Sequence, residues 1–260
     1  MRVGGTLVLL VAACAGAPPQ HRGPITGEAS ADGRTFSCSQ AGLFVATANG
    51  ERWLGDPGCR PFALAAGTVG LLVGGGDPAQ SGELALCDFD GTVRARARVA
   101  DDLVYTVAIS PDGRTGVAGC ADGRVLLVSL PDLAVQPSAF RHAGPALAVA
   151  FSPDGALLAS GGHDGLVLLG AAGGGVAPRR LTDHTGPVTC LCWQDNGATF
   201  VSGARDGKVR LHDRSGRLVR TWARLPGPVA RVAFAGDRIE YTAEAAPGMT
   251  SRGHLDPSAP

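Results

Sequence analysis

The chain has little of what a catalytic site, a membrane span or a polyanion would require. Of its 260 residues only 18 % are charged and 5 % aromatic, and there are two methionines. No run of 18 apolar residues occurs, so no internal segment reads as a helix crossing a bilayer. Neither sign of charge is in excess: 23 Lys and Arg stand against 23 Asp and Glu, which offers nucleic acid or an acidic surface no global attraction. The seven cysteines form no CxxC pair, so a zinc site or a thioredoxin-like redox motif has no support. A Gly-x-Ser-x-Gly elbow, an HExxH helix, a P-loop and an EF-hand loop are all missing.

Glycine and proline are what the chain has in quantity, 39 and 18 residues. A helix-rich fold is excluded, because each glycine costs a helix about 1 kcal/mol relative to alanine and each proline about 3 kcal/mol. A hydrophobic content of 45 % argues against disorder, and the lack of a Gly-X-Y period against collagen. Many short strands joined by Gly, Pro and Asp turns remain.

The strands come in a repeat. The segments starting at Tyr105, Ala146 and Val188 each run through an apolar strand, a tight turn, a second strand ending in small residues, an Asp-Gly turn and a third apolar strand. The first turn carries Asp112, Asp154 and Asn196, 42 residues apart in each case. Asp32 stands 80 residues before Asp112, two such periods, with a degenerate unit from Pro61 to Gly91 between them. A last copy runs from Val229 with Gly236 and Asp237 at its turn. Six units with a period near 40 are the signature of a β-propeller: a four-stranded blade buries its two faces only against neighbouring blades. Cys190 and Cys192, two apart in a strand, should share a face and serve as small core residues. Trp53, Trp193 and Trp222 read as core or blade-to-blade packing.

Within these units His142 (Arg-His-Ala-Gly-Pro) and His184 (Asp-His-Thr-Gly-Pro) each precede an Asp-Gly turn aspartate, Asp164 or Asp206, by 22 residues. This pattern resembles the WD-40 repeat family over roughly residues 20–256. The resemblance implies a hydrogen-bonded His–Asp network, His142 with Asp164 and His184 with Asp206, that locks the strands of a blade, with Asp122 at the corresponding turn of the preceding unit. The Trp-Asp dipeptide of the family is absent, its nearest remnant being His212-Asp213. The histidine is missing from the units at 61 and 104, and the aspartate from those at 26 and 61. The resemblance also directs attention to one rim of the ring. There Ala121, His163 and Arg205 precede the turn aspartates, and Arg22 and Arg141 sit in the opening loops; exposed arginine is a common interface anchor. His21, His142, His184 and His212 are absorbed by the repeat, and His163 and His254 alone do not make a metal site. The Asp-Gly pairs read as tight turns, not calcium loops.

The first 23 residues have two readings. Val11-Ala12-Ala13-Cys14, behind a short apolar run, resembles a bacterial lipobox, which would make Cys14 an acylated N-terminus and Ala15–Pro19 a tether. Alternatively Thr6–Ala12 resembles a third blade strand, and the segment closes the ring by completing the last blade. The sequence therefore leads to an all-β chain, a propeller of about six four-stranded blades (seven is the less favoured count) over residues 24–260. It is expected to be a monomeric, non-catalytic scaffold for unidentified protein partners, without cofactor, metal or nucleic acid. The membrane-anchored lipoprotein is the favoured location, the cytoplasm the other. The alternative function is a propeller enzyme, lactonase- or hydrolase-like, with an axial site.

Overall fold

The Asp/Asn-Gly turns set the architecture. In Ser110-Pro-Asp-Gly the Asp112 carboxylate accepts from the Arg114 amide at 3.0 Å, Asp154 accepts from the Ala156 amide at 3.1 Å, and the Asn196 side-chain oxygen from the Ala198 amide at 2.8 Å. The glycine that follows each lies in the left-handed region, with φ of 71°, 72° and 68° at Gly113, Gly155 and Gly197. A side chain that closes its own turn, followed by the residue that tolerates positive φ, reverses the chain in four residues.

The computed structural model describes residues 25–257 apart from 32, 48, 49, 174, 224, 247 and 248. The expectations placed on residues 1–23, including Cys14 and Arg22, lie outside the described residues, as does Asp32. Every regular element among the described residues is a strand. Blade 1 is β1 (Ile25–Ala31), β2 (Arg34–Ser39), β3 (Gly42–Thr47) and β4 (Gly50–Gly55). Blade 2 is β5 (Pro61–Gly67), β6 (Gly70–Asp77), β7 (Ser81–Cys87) and β8 (Val93–Ala100). Blade 3 is β9 (Val104–Ile109), β10 (Thr115–Cys120), β11 (Val125–Ser129) and the short β12 (Val135–Gln136). Blade 4 is β13 (Ala146–Phe151), β14 (Leu157–Gly162), β15 (Val167–Ala171) and β16 (Arg179–Leu181). Blade 5 is β17 (Val188–Trp193), β18 (Thr199–Ala204), β19 (Val209–Asp213) and β20 (Leu218–Trp222). Blade 6 has three strands among the described residues, β21 (Val229–Ala235), β22 (Arg238–Ala246) and β23 (Met249–Leu255). All neighbouring strands are antiparallel.

The chain is thus an all-β, six-bladed propeller. The first strands of successive blades, β1, β5, β9, β13, β17 and β21, pack on one another in that order. Each pairs with the second strand of its blade through the same irregularity near its start, for example between Ala146 and Ala148 and between Val188 and Cys190. One extra residue there adds twist, which lets the strand face the next blade at an angle. The cores are the seams. Leu64, Leu71 and Phe36 fill that between blades 1 and 2, and Val149, Leu158, Leu127 and Phe140 that between blades 3 and 4. Gly161 and Gly203, at the ends of β14 and β18, explain the small residues there: a Cβ at Gly161 would strike Val188, and one at Gly203 would strike Val229. The next blade's first strand lies against bare backbone.

Cys190 and Cys192 pack with Val232 and Phe234 of blade 6, and burial pushes the Cys190 thiol up to about 12. Trp193 is buried, its indole donating to the Ala150 carbonyl at 3.3 Å across the seam between blades 4 and 5. Trp222 packs in the last seam. Trp53 departs from the core expectation. It lies on β4, the outermost strand of blade 1, and is 56 % exposed; Leu54, the next residue, turns inward instead and packs on the seam with blade 2.

Candidate functional site

In blade 4 the opening loop brings His142 over the end of β14. Its Nδ1 is 3.0 Å from Asp164 Oδ1 and its Nε2 is 2.9 Å from Ser160 Oγ, while Asp164 also accepts from the Ala143 and Leu166 amides at 2.9 and 3.1 Å. Blade 5 repeats this: His184 Nδ1 lies 3.1 Å from Asp206 Oδ2 and Nε2 2.8 Å from Ser202 Oγ, and Asp206 accepts from the Thr185 and Lys208 amides, both at 3.1 Å. Each carboxylate therefore ties the opening loop to the turn between the second and third strands, and the imidazole carries the tie on to the second strand. Burial is the main reason both histidines titrate below their ordinary range, His184 down to about 4, with Arg210 adding to it there. Both imidazoles are neutral at neutral pH. Against the opposing pull of burial, hydrogen bonds from the Ala143 amide and His142 hold the Asp164 carboxyl below its ordinary range, and those from Arg210, then the Thr185 amide and His184, do the same for Asp206.

Ser160 and Ser202 were not singled out from the sequence, although each stands 18 residues after its histidine and the regularity is visible there. Arg210 was missed as well. Its side chain is 5 % exposed and donates to Asp206 Oδ2 at 2.9 Å, and its guanidinium also touches His184 Nδ1. The corresponding residue in blade 4 is Leu168, so the buried ion pair belongs to blade 5 alone of these two. His212, at the place of the family's tryptophan, is fully buried, stacks on Phe200 at 4.9 Å and holds Ser202 Oγ at 3.2 Å through Nε2. Its Nδ1 has no hydrogen-bond partner among the described residues, and burial drives its pKa down to about 4.

Asp122 stands in the unit whose histidine is missing. Ala100 stands 42 residues before His142, so no imidazole faces Asp122. The carboxylate accepts instead from the Arg124 amide at 3.0 Å and from Arg124 Nε at 2.6 Å.

The rim positions form a series. The amides of Ala121, His163 and Arg205 each donate to a carbonyl of their blade's opening loop, that of Leu103, Pro145 and Pro187, all at 2.9 Å. The three side chains consequently stand at equivalent stations on three successive blades. His163 and Arg205 are exposed, and so is Arg141, whose backbone bridges to Arg124. Neither Arg141 nor Arg205 has an ion-pair partner among the described residues. No group of three or more His, Cys, Asp or Glu positioned to hold a metal occurs among the described residues.

Three stretches of the chain, 99–129, 136–169 and 175–213, match the family model of the WD domain, G-beta repeat. No curated protein matches. Among solved structures, the chain is similar to the computationally designed Ika8 protein with 21 % identity and a TM-score of 0.69, covering 86 % of this chain and 69 % of that one. It is also similar to a chain in the crystal structure of a mitotic checkpoint complex, with 17 % identity and a TM-score of 0.74, covering 86 % and 71 %. At these identities the likeness is one of fold. The repeat model is matched on three consecutive units, two of which carry the His–Asp–Ser geometry, within an all-β, six-bladed propeller.

Proposed function

We propose that the chain is a non-catalytic scaffold that binds a protein partner through the rim bearing Arg141, His163 and Arg205. The observation that carries this reading is the repeated amide-to-carbonyl bond at Ala121, His163 and Arg205. It fixes three neighbouring stations of the rim in a rigid frame while leaving two arginines exposed and without ion-pair partners. Preorganised arginine lets a partner bind with little ordering of the surface, and its fork suits carboxylates or backbone carbonyls. The solved mitotic checkpoint complex places a chain of this fold in a protein assembly, in line with the reading. The test is affinity capture from native membrane and soluble fractions, comparing the wild type with Arg141→Glu/Arg205→Glu. A partner recovered by the wild type and lost by the charge reversal supports the rim. Partners retained in full by the variant overturn it.

For residues 1–23 the lipobox reading rests on Val11-Ala12-Ala13-Cys14. The closing-strand reading is supported by blade 6, which has three strands among the described residues where the other five blades have four. Intact mass of the native protein separates them: a mature chain starting at Cys14 with acyl mass supports the tether, a chain starting near Met1 without lipid the closing strand.

A further inference from the structure

At the end of the blades opposite the rim, a cleft of about 220 Å³ opens between blades 3 and 4, lined by residues that include Asp112, Gln136, Phe151, Gly155 and Ala172. One seam further round, the corresponding place is filled. Arg214 reaches across from blade 5 and donates through Nη2 to Asp154 Oδ2 at 2.5 Å and through Nη1 to the Gly197 carbonyl at 3.2 Å. Forty-two residues before Arg214, Asp154 and Gly197 stand Ala172, Asp112 and Gly155, and all three line the cleft. The backbone confirms the equivalence, since the Arg214 amide donates to the Ala198 carbonyl at 2.8 Å and the Ala172 amide to the Ala156 carbonyl at 3.0 Å. The acceptors are therefore repeated while the guanidinium that occupies them is not.

We infer that this cleft receives the guanidinium of an arginine side chain from a partner polypeptide, held by Asp112 Oδ2 and the Gly155 carbonyl as Arg214 is held by Asp154 and Gly197. Asp112 presents a free oxygen for this. Its Oδ1 takes the Ser110 hydroxyl at 2.6 Å and the Arg114 amide at 3.0 Å, and no side chain among the described residues pairs with Oδ2. Arg114 is exposed nearby without forming an ion pair. The Ser110 hydrogen bond, then that of the Arg114 amide, holds the Asp112 carboxyl below its usual range, so it is charged at neutral pH. Two acceptors on different elements suit the planar fork of arginine better than the single ammonium of lysine. Phe151 adds an apolar wall of the kind a guanidinium plane packs on. This cleft is independent of the rim: it lies at the other end of the strands and shares no residue with it.

The test is an NMR titration of the intact protein with the blocked peptide acetyl-Gly-Arg-Gly-amide, its lysine counterpart and free arginine. The arginine peptide is expected to shift the amides of Asp112, Gly155 and Ala172 and to bind at least tenfold more tightly than the lysine peptide. Asp112→Asn, which keeps the turn because asparagine already serves there at position 196, should weaken the arginine peptide at least tenfold. Ala172→Arg should rebuild the blade 5 bridge in place, raise the melting temperature and abolish peptide binding. Equal binding of the lysine peptide, unchanged binding by either variant, or no shift at these three amides overturns the inference. Tighter binding of free arginine than of the blocked peptide overturns the polypeptide source.

Discussion

Replacing Asp206 by alanine is the most direct probe of how the blades are locked. The carboxylate accepts from the Thr185 and Lys208 amides and from His184, and it faces the buried Arg210 guanidinium at 2.9 Å. Its removal strands a charge in an environment where Arg210 is 5 % exposed, and breaking one side of such a buried pair costs about 3–5 kcal/mol. In blade 4 the same substitution at Asp164 leaves a neutral histidine and two amides unpaired, with Leu168 where Arg210 would be. That loss is about 1–3 kcal/mol. At this chain length about 2–4 °C of melting temperature accompanies each kcal/mol, so Asp206→Ala should melt roughly 6–20 °C below the wild type and clearly below Asp164→Ala. The double variant Asp206→Ala/Arg210→Leu removes the stranded charge along with its partner and should recover part of the loss, the non-additivity expected of residues in contact. Urea denaturation followed by tryptophan fluorescence, read as midpoint shifts, measures the wild type, these three variants and the single variant Arg210→Leu. Equal losses at Asp206 and Asp164, or a double variant as unstable as the sum of its singles, would refute the assignment of Arg210 as the charge that Asp206 neutralises.

Acid should unfold the protein early. His184 and His212 titrate near 4 when folded but near 6.5 when unfolded, so the unfolded chain takes up protons first. The stability tied to each neutral imidazole is full above about pH 6.5 and falls by about 3 kcal/mol as the pH approaches 4. Midpoints measured from pH 7 to 4 should show this slope, and His212→Leu should flatten it; a variant with the wild-type slope contradicts the assignment. Gly162→Ala would push a Cβ into His142 Nδ1 and Asp164 Oδ1, so a loss of about 1–3 kcal/mol is expected, and a change within about 0.5 kcal/mol, typical of plain surface sites, counts against the network in blade 4. Trp193→Ala should cost about 3–5 kcal/mol and Trp53→Ala, on its exposed outer strand, far less; comparable melting shifts for the two would contradict their placement.

The 42-residue spacing of Asp112, Asp154 and Asn196 and the 22-residue spacing of the His–Asp pairs are properties of the chain itself. From them the sequence alone determined the repeat, the turns and the all-β class, because a tight turn is closed by its own residues and a repeated turn repeats the strands it joins, while the pairing of His142 with Asp164 and of His184 with Asp206 was implied by the resemblance to the WD-40 repeat. Which partner a side chain meets was decided only by the tertiary structure. Arg210 and Leu168 hold the same place in consecutive units, yet one enters a buried ion pair and the other a hydrophobic seam. Trp53 is exposed because it occupies an outermost strand, a position that composition does not reveal. Arg214 and Ala172 stand at one repeat position, and only the packing of neighbouring blades makes the first a bridge and the second the wall of a cleft. Local hydrogen bonds are written at short range along the chain, whereas contacts between blades depend on side chains some forty residues apart that the ring alone brings together.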